Sequence, residues 1–98
     1  MFSKLKQYKD MAKQAKEMQG KLSQETANSE AAGGRVRMII DGNQEILNCD
    51  IDTSLLSTDK KEELEKAVRD ADNDAIKKSQ RLMADSMKKA GLGLPGMS

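Results

Sequence analysis

Histidine and tryptophan are absent from this chain of 98 residues, which has one cysteine, Cys49, and one proline. Without His, no side chain titrates near neutral pH as a general base, and no imidazole is available to bind a metal. A single cysteine forms no intrachain disulfide and is typical of a reducing compartment. We therefore expect a cytoplasmic protein that is not an enzyme and that uses no metal and no cofactor.

Aromatic residues and long apolar runs are also scarce. Tyr and Phe occur once each, so unpaired bases would find no aromatic platform on which to stack. No run approaches the roughly 18 apolar residues of a membrane span, and the first residues lack the apolar core of a signal peptide. Only four arginines could read guanine with two hydrogen bonds. We expect no membrane partner, no small-molecule substrate and little reading of base sequence.

The charges that are present are separated along the chain. Seventeen basic and sixteen acidic residues give a net charge of +1. Residues 1–25 carry +3 and residues 75–98 carry +4, whereas residues 26–58 and 59–74 carry −3 each. Charge asymmetry of this kind is typical of proteins with a polyanionic partner.

Helical periodicity predicts a helix at each end of the chain. The first, over residues 2–22, has apolar side chains at steps of three and four: Leu5, Tyr8, Met11, Ala12, Ala15, Met18 and Leu22. Ser57 or Thr58 is the expected N-cap of the second helix, and Gly91 its C-terminal stop. Its predicted apolar stripe is Leu64, Val68, Ala71, Ala75 and Leu82, with Lys78 or Ser79 filling the gap.

Period-two alternation predicts a β-hairpin between these helices. Val36, Met38 and Ile40 share one face of its first strand, and Leu47, Cys49 and Ile51 share one face of its second. The turn lies at residues 41–43, and residues 25–32 are a candidate third strand. We interpret Cys49 as a buried core residue rather than a reactive thiol.

The predicted fold class is α+β: a long N-terminal helix, an antiparallel sheet of two or three strands, and a long C-terminal helix. Residues 1–90 form the expected single domain, and residues 91–98 a mobile tail rich in Gly and Pro. So small a sheet cannot bury both helical stripes completely. A symmetric homodimer would cover what remains.

The order of these elements resembles the YbaB/EbfC family of bacterial nucleoid-associated proteins. The resemblance spans nearly the whole chain and depends on four stretches: Cys49-Asp50-Ile51-Asp52, Leu55-Leu56, Ala71-Asp72-Asn73-Asp74-Ala75 and the Gly-Leu-Pro-Gly tail. It implies a tweezer-like homodimer in which strands form the subunit contact and long helices project as arms toward duplex DNA. The implied dimer interface consists of Val36, Met38, Ile40, Leu47, Cys49 and Ile51.

Two basic clusters are the candidate DNA-binding residues. The first lies on the N-terminal helix, where most of its members recur at steps of three and four and so share a face: Lys4, Lys6, Lys9, Lys13 and Lys16. The second lies on the distal half of the last helix: Lys77, Lys78, Arg81, Lys88 and Lys89. One isolated lysine stripe is usually a solvated face, but two clusters repeated in a dimer suit closely spaced phosphates.

Two pairs of polar residues allow other interpretations. Asp50 and Asp52 lie on one side of a strand and could bind Mg²⁺, but no nucleophile or phosphate-binding loop accompanies them, which favours a capping role. Asn73 and Asp74 have poor helix propensity, and two explanations stay open: a polar helix face near Lys77 and Lys78, or a contact with a partner subunit.

The sequence thus predicts a nucleoid-associated homodimer that binds double-stranded DNA with little sequence specificity, in the cytoplasm, and influences nucleoid organisation and gene expression. The alternative is a protein-interaction or adaptor module that uses the Ala- and Met-rich helix faces.

Overall fold

The protein is described here by a computed structural model over residues 2–91. Helix α1 spans Phe2–Gln24, strand β1 Thr26–Ala31, β2 Val36–Asp41, β3 Ile46–Ile51, and helix α2 Lys61–Lys89. Short 3-10 turns lie at Ala32–Gly34, Thr53–Leu55 and Thr58–Lys60. The predicted α+β order is confirmed, whereas the predicted tail lies outside the described residues apart from Gly91.

The sheet is antiparallel, in the order β1-β2-β3. The candidate strand at residues 25–32 is therefore paired, and Ala27, Ser29 and Ala31 lie opposite Ile40, Met38 and Val36 of β2. Paired residues point to the same side of a sheet, so β1 presents only small side chains on the face where β2 presents its large apolar ones.

Helix α2 packs on this face through small residues of its own. Its four buried side chains recur every fourth position: Ala67, Ala71, Ala75 and Ser79. Ser79, not Lys78, thus fills the gap in the predicted stripe, and Leu64 and Val68 are only partly buried. Because small groups face each other across β1, the helix backbone comes close to the strand.

Two buried hydroxyls use this close approach to join α2 to the sheet. Ser29 Oγ donates to the carbonyl oxygen of Ala71 at 2.6 Å. Ser79 Oγ donates to the carbonyl oxygen of Asp41 at 2.7 Å and accepts from the backbone N–H of Gln44 at 3.1 Å. Buried polar groups are costly without partners, so these bonds fix the position of α2 along the sheet.

A third contact joins Asp74 to other residues of its own chain. Its Oδ2 lies 3.0 Å from Lys78 Nζ and 3.0 Å from Ser29 Oγ, and Lys78 Nζ also donates to the carbonyl oxygen of Asn28 at 2.7 Å. The hydrogen bond from Lys78, followed by that from Ser29, lowers the pKa of Asp74 below its ordinary value of 3.8. Asp74 therefore joins α2 to β1 within one chain.

Helix α1 is attached to the rest of the molecule mainly by its C-terminal end. Leu22 is buried against the β2–β3 turn, where the backbone N–H of Gly42 donates to the Leu22 carbonyl oxygen at 3.0 Å. Asn43 Nδ2 donates to the carbonyl oxygen of Gln19 at 3.0 Å. Residues 3–17 are exposed throughout, and the molecule measures 64 × 26 × 19 Å. The N-terminal part of α1 is thus a projecting arm.

The predicted burial of Cys49 is wrong for the single chain. Cys49 pairs with Met38, but it is exposed because α2 packs across β1 and β2 and leaves β3 largely uncovered. The predicted alternation is also interrupted: a register shift places Ile46, not Leu47, opposite Ile40. A bulge of this kind adds one residue and changes the face of those before it.

The ends of α2 follow the predicted signals in part. The predicted N-cap is wrong, because Lys60 is the residue that precedes α2. Ser57 instead precedes the 3-10 turn Thr58–Lys60 in an extended conformation, and its hydroxyl donates to Asp59 Oδ1 at 2.6 Å. At the other end Gly91 has φ +75° and donates to the carbonyl oxygen of Lys88 at 3.1 Å. Gly91 therefore ends the helix as expected, since this left-handed conformation costs glycine little.

Gly42→Ala is expected to destabilise the fold by about 1 to 3 kcal/mol, as overpacking does. A Cβ at Gly42 would lie 2.7 Å from Leu22 Cδ2 and 3.1 Å from the Leu22 carbonyl oxygen, so α1 would have to shift away from the turn. Urea unfolding followed by circular dichroism measures the loss. Gly20→Ala is the control: nothing lies within 4 Å of its Cβ, so the same change in a helix should stabilise by up to about 1 kcal/mol. Equal effects at both glycines would contradict the proposed contact.

Asp74→Asn is expected to lower stability at pH 7 by about 0.5 to 1 kcal/mol, a value reduced because both partners are partly exposed. The pKa of Asp74 is lowered in the folded state, so its contribution is complete above the ordinary value of 3.8 and lost as pH falls through the folded value. The difference between wild type and variant, measured by urea unfolding at a series of pH values, should therefore shrink below about pH 4. A difference that is constant down to pH 2 would show that the charge is not involved.

Candidate nucleic-acid interface

The lysines of the first cluster lie on the projecting arm. Lys4, Lys6, Lys9, Lys13 and Lys16 are all exposed. We call Lys6, Lys9, Lys13 and Lys16 the lysine stripe; at 1.5 Å per residue it is about 15 Å long. Along the described helix α1, six lysines stand against two acids, which gives a local charge of +4. The stripe therefore presents positive charge over a length comparable to several phosphates of one DNA strand.

The helix dipole adds to this charge. Helix α1 has no acidic residue in its first turn, and Lys4 and Lys6 lie near its N-terminus. The backbone N–H groups at a helix N-terminus carry a partial positive charge, so basic side chains there are unfavourable for the isolated helix and favourable for a bound anion. The helix dipole therefore adds to the positive charge of Lys4 and Lys6 at this end of the arm.

An apolar groove lies on the other side of α1, between it and α2. It has a volume of about 670 Å³. By helical geometry, Met11, Met18 and Leu22 are about 180° around α1 from the lysine stripe. Met83 and Met87 line the groove from α2. The two sides of α1 thus differ in chemistry: one is basic and open, and the other is apolar and partly closed by α2.

The second basic cluster divides in the structure. Lys77, Arg81 and Lys88 are exposed and share one face of α2, since they are separated by four and seven residues. Lys78 is partly buried and is engaged by Asp74 and the Asn28 carbonyl oxygen, so its first role is structural. Lys89 lies beside Lys21 of α1 in a shallow depression where the helices approach each other.

Lys21 is a basic residue that the sequence interpretation left out. It lies on α1 outside the lysine stripe, and it lines the same shallow depression as Lys89 of α2. The helical periodicity of α1 carries no signal for this neighbour. The local charges of +3 and +4 at the two ends of the chain were the available indication that the ends could meet.

The acidic residues lie at the opposite end of α2. Helix α2 is about 43 Å long by its rise per residue, and Glu62 and Glu63 occupy its first turn. Arg35 lowers the pKa of Glu63 through a hydrogen bond and its charge. The Ser57 hydroxyl likewise lowers the pKa of Asp59, and contacts with Ser54 lower that of Asp52. This end therefore stays negative at neutral pH while the arm is positive.

Asp52 also has a capping role, in agreement with the preferred interpretation of the acidic pair. Its Oδ2 accepts from the backbone N–H of Ser54 at 3.0 Å, at the start of the turn Thr53–Leu55. Asp50 is exposed opposite Arg37. Among residues 2–91, no group of three or more Cys, Asp or Glu side chains has an arrangement that could hold a metal ion.

The six residues expected at a dimer interface also divide. Val36, Met38 and Ile40 are buried beneath α2 in the single chain, and Ile51 packs against that core. Leu47 and Cys49 are exposed on β3. β3 is an edge strand of the sheet, with β2 as its one neighbour in the sheet order. The apolar surface left open near the sheet is therefore centred on β3.

No helix in the described part of the chain is both long and apolar enough to cross a membrane.

Comparison with known proteins identifies a DNA-binding family over nearly the whole chain. Residues 1–94 match the model of the YbaB/EbfC DNA-binding family. A nucleoid-associated protein of Thermoanaerobacter pseudethanolicus is 33% identical over 95 residues, covering 95% of this chain and 86% of that protein. One from Syntrophobacter fumaroxidans is 32% identical over 98 residues, with 98% and 89% covered.

A solved structure shares the fold. The crystal structure of the uncharacterized protein HP0035 from Helicobacter pylori superposes with a TM-score of 0.75 and 28% identity, covering 95% of this chain and 98% of that one. Family match, similarity to nucleoid-associated proteins and fold agree with an exposed basic arm on a small α+β body. This chain belongs to the YbaB/EbfC DNA-binding family.

Proposed function

We propose that the protein is a nucleoid-associated homodimer that binds duplex DNA with little sequence specificity through its basic arms. The observation that carries the proposal is the lysine stripe of α1, which is fully accessible along the part of the helix that projects from the fold. Lysines contact phosphates as point charges, and such contacts position a protein on DNA without reading its sequence. The protein thereby influences nucleoid organisation and gene expression.

The distribution of charge supports an orientation on DNA. The arm and the distal half of α2 are basic, whereas the first turn of α2 and the turns before it are acidic. A polyanion attracts the first region and repels the second. The described geometry therefore favours binding with the arm toward the duplex and the acidic end of α2 away from it.

The uncovered edge of the sheet supports the dimer. β3 exposes Leu47 and Cys49, with Ile46 39% exposed, and its free backbone edge offers hydrogen bonds to a second strand. Exposed strand edges pair readily with another chain unless they are blocked. A second copy placed along β3 would cover this apolar surface and present two arms to one duplex.

Lys9→Ala combined with Lys13→Ala should weaken DNA binding and flatten its salt dependence. Each lost phosphate contact lowers the slope of log K against log salt by about 0.9, so the slope should fall by about 2 if one arm of the dimer binds and by about 4 if both bind. Fluorescence anisotropy with unrelated duplexes between 50 and 200 mM salt, a range in which such contacts are lost, measures this.

Lys60→Ala combined with Lys61→Ala is the matched control for charge. These lysines lie at the acidic end of α2, where Lys60 pairs with Glu63 at 3.6 Å. The control removes the same charge from each chain but should leave the slope nearly unchanged. If both double variants lose the same slope, the protein is attracted by net charge alone and the arm is not the binding site.

Leu47→Asp should shift the protein from dimer to monomer. A carboxylate at this exposed position of β3 would have to be buried without a partner in the proposed interface, which is strongly unfavourable. Sedimentation velocity measures the change. Asn48 lies opposite Ile39, on the face of the sheet away from Cys49, so Asn48→Asp introduces the same charge there and the dimer should persist. Equal dissociation by both variants would argue against an interface on the Cys49 side.

The alternative function, as a protein-interaction or adaptor module, would use a different surface. The apolar groove between α1 and α2 contains four methionines, Met11, Met18, Met83 and Met87, and methionine-rich surfaces adapt to varied partners. It lies on the side of α1 away from the lysine stripe. If a partner protein is still pulled down after nuclease treatment, and Met18→Gln abolishes this, the result would favour an adaptor. Loss of duplex binding in the lysine variants favours DNA binding.

A further inference from the structure

The arm carries an apolar strip that the proposed phosphate contacts do not use. Leu5 is 58% exposed, Tyr8 70% and Met11 63%. These residues are spaced by three, so they form one ridge along α1. Met11 lines the groove between α1 and α2, whereas Leu5 and Tyr8 are exposed and do not line that groove. Exposed large apolar side chains grouped together commonly mark a contact surface.

The position of this strip relative to the lysine stripe is informative. At 3.6 residues per turn, Leu5 lies about 60° and Tyr8 about 120° around the helix from the mean direction of the lysine stripe, so the midpoint between them is about a quarter turn away. The major groove of B-DNA is about 12 Å wide and admits a helix of about 10 to 12 Å diameter. If the lysine stripe faces the phosphates along one wall of that groove, Leu5 and Tyr8 face its floor.

The floor of the major groove offers one apolar group, the C5-methyl of thymine. We infer that Leu5 and Tyr8 contact thymine methyl groups while the lysine stripe holds the phosphates, so that the protein prefers thymine-bearing duplexes without reading a defined sequence. This inference rests on the proposed DNA binding. It assigns to the arm a weak preference for base composition, in addition to its attraction to phosphate.

A second copy of the chain is a less suitable occupant of the strip. Stable protein interfaces use about 20 to 30 residues on each side, and this ridge has three. Packing two arms through the ridge would also bring their lysine stripes close together, because the stripe is only a quarter turn away. Like charges oppose that contact, whereas phosphates on both sides of a DNA groove favour insertion of a basic helix.

The test compares two DNA duplexes of equal length and charge. One alternates adenine with thymine and the other alternates adenine with uracil on the same deoxyribose backbone, so they differ only in the thymine methyl group. Anisotropy titrations with the full chain should give tighter binding to the A-T duplex, by about fourfold for each methyl group buried. Leu5→Ala and Tyr8→Ala should bring this ratio toward one and leave the salt slope unchanged. Lys9→Ala with Lys13→Ala should weaken binding to both duplexes and preserve the ratio.

Gln7→Ala is the matched control and should leave the ratio of the two affinities unchanged, because Gln7 is exposed on the arm but lies on another side of the helix. A wild-type ratio of one, or a ratio that Leu5→Ala and Tyr8→Ala leave unchanged, would overturn the inference. So would dissociation of the dimer by Leu5→Ala in sedimentation velocity, because the strip would then belong to a second copy. If neither duplex is bound, the proposed function fails; equal binding to both removes only the thymine contact.

Discussion

The close packing of helix α2 on strand β1 is the contact on which the rest of the structure depends. Ala67, Ala71, Ala75 and Ser79 face a strand whose inner side chains are Ala27, Ser29 and Ala31. Little apolar area is buried in such a contact. Close packing and hydrogen bonds therefore contribute more to its stability than they do in a core of large apolar side chains. The 2.6 Å bond from Ser29 to the Ala71 carbonyl oxygen requires that closeness, since a larger residue at either position would separate the elements.

This arrangement determines which surfaces stay open. Because α2 lies over β1 and β2, the large apolar residues of β2 are covered and those of β3 are not. Because Ser79 ties α2 to the β2–β3 turn, the last turns of the helix pass beside the C-terminal half of α1 and form the methionine-lined groove there. Helix α1, docked at Leu22 and Gly42, then extends beyond α2. An uncovered strand edge and an unsupported basic arm thus follow from one packing choice.

The sequence predicted the elements of this fold well, because each has a local signal. The helical period of α1, the alternation of β2 and the glycine after α2 all correspond to observed features. Local patterns failed to predict the burial and contacts of side chains where these depend on how distant elements pack on each other. Cys49 is on the apolar face of its strand yet exposed, since the reach of α2 across the sheet is not encoded near Cys49. The sequence placed Lys78 in a basic cluster. Its contacts with Asp74 and the Asn28 carbonyl oxygen could not be predicted without knowing that β1 packs against α2.

The same distinction separates the two basic clusters. Lysines whose helix face meets no other element keep their full positive charge available, and this holds for the arm. On α2 the helix also has to bind the sheet, so Lys78 is used internally, and Lys66 pairs with Asp70 of the same helix at 3.0 Å. A phosphate surface built on the arm is therefore independent of the packing that stabilises the body, whereas one built on α2 is not. Substitutions among the exposed lysines of the arm can therefore change its charge with little cost in stability.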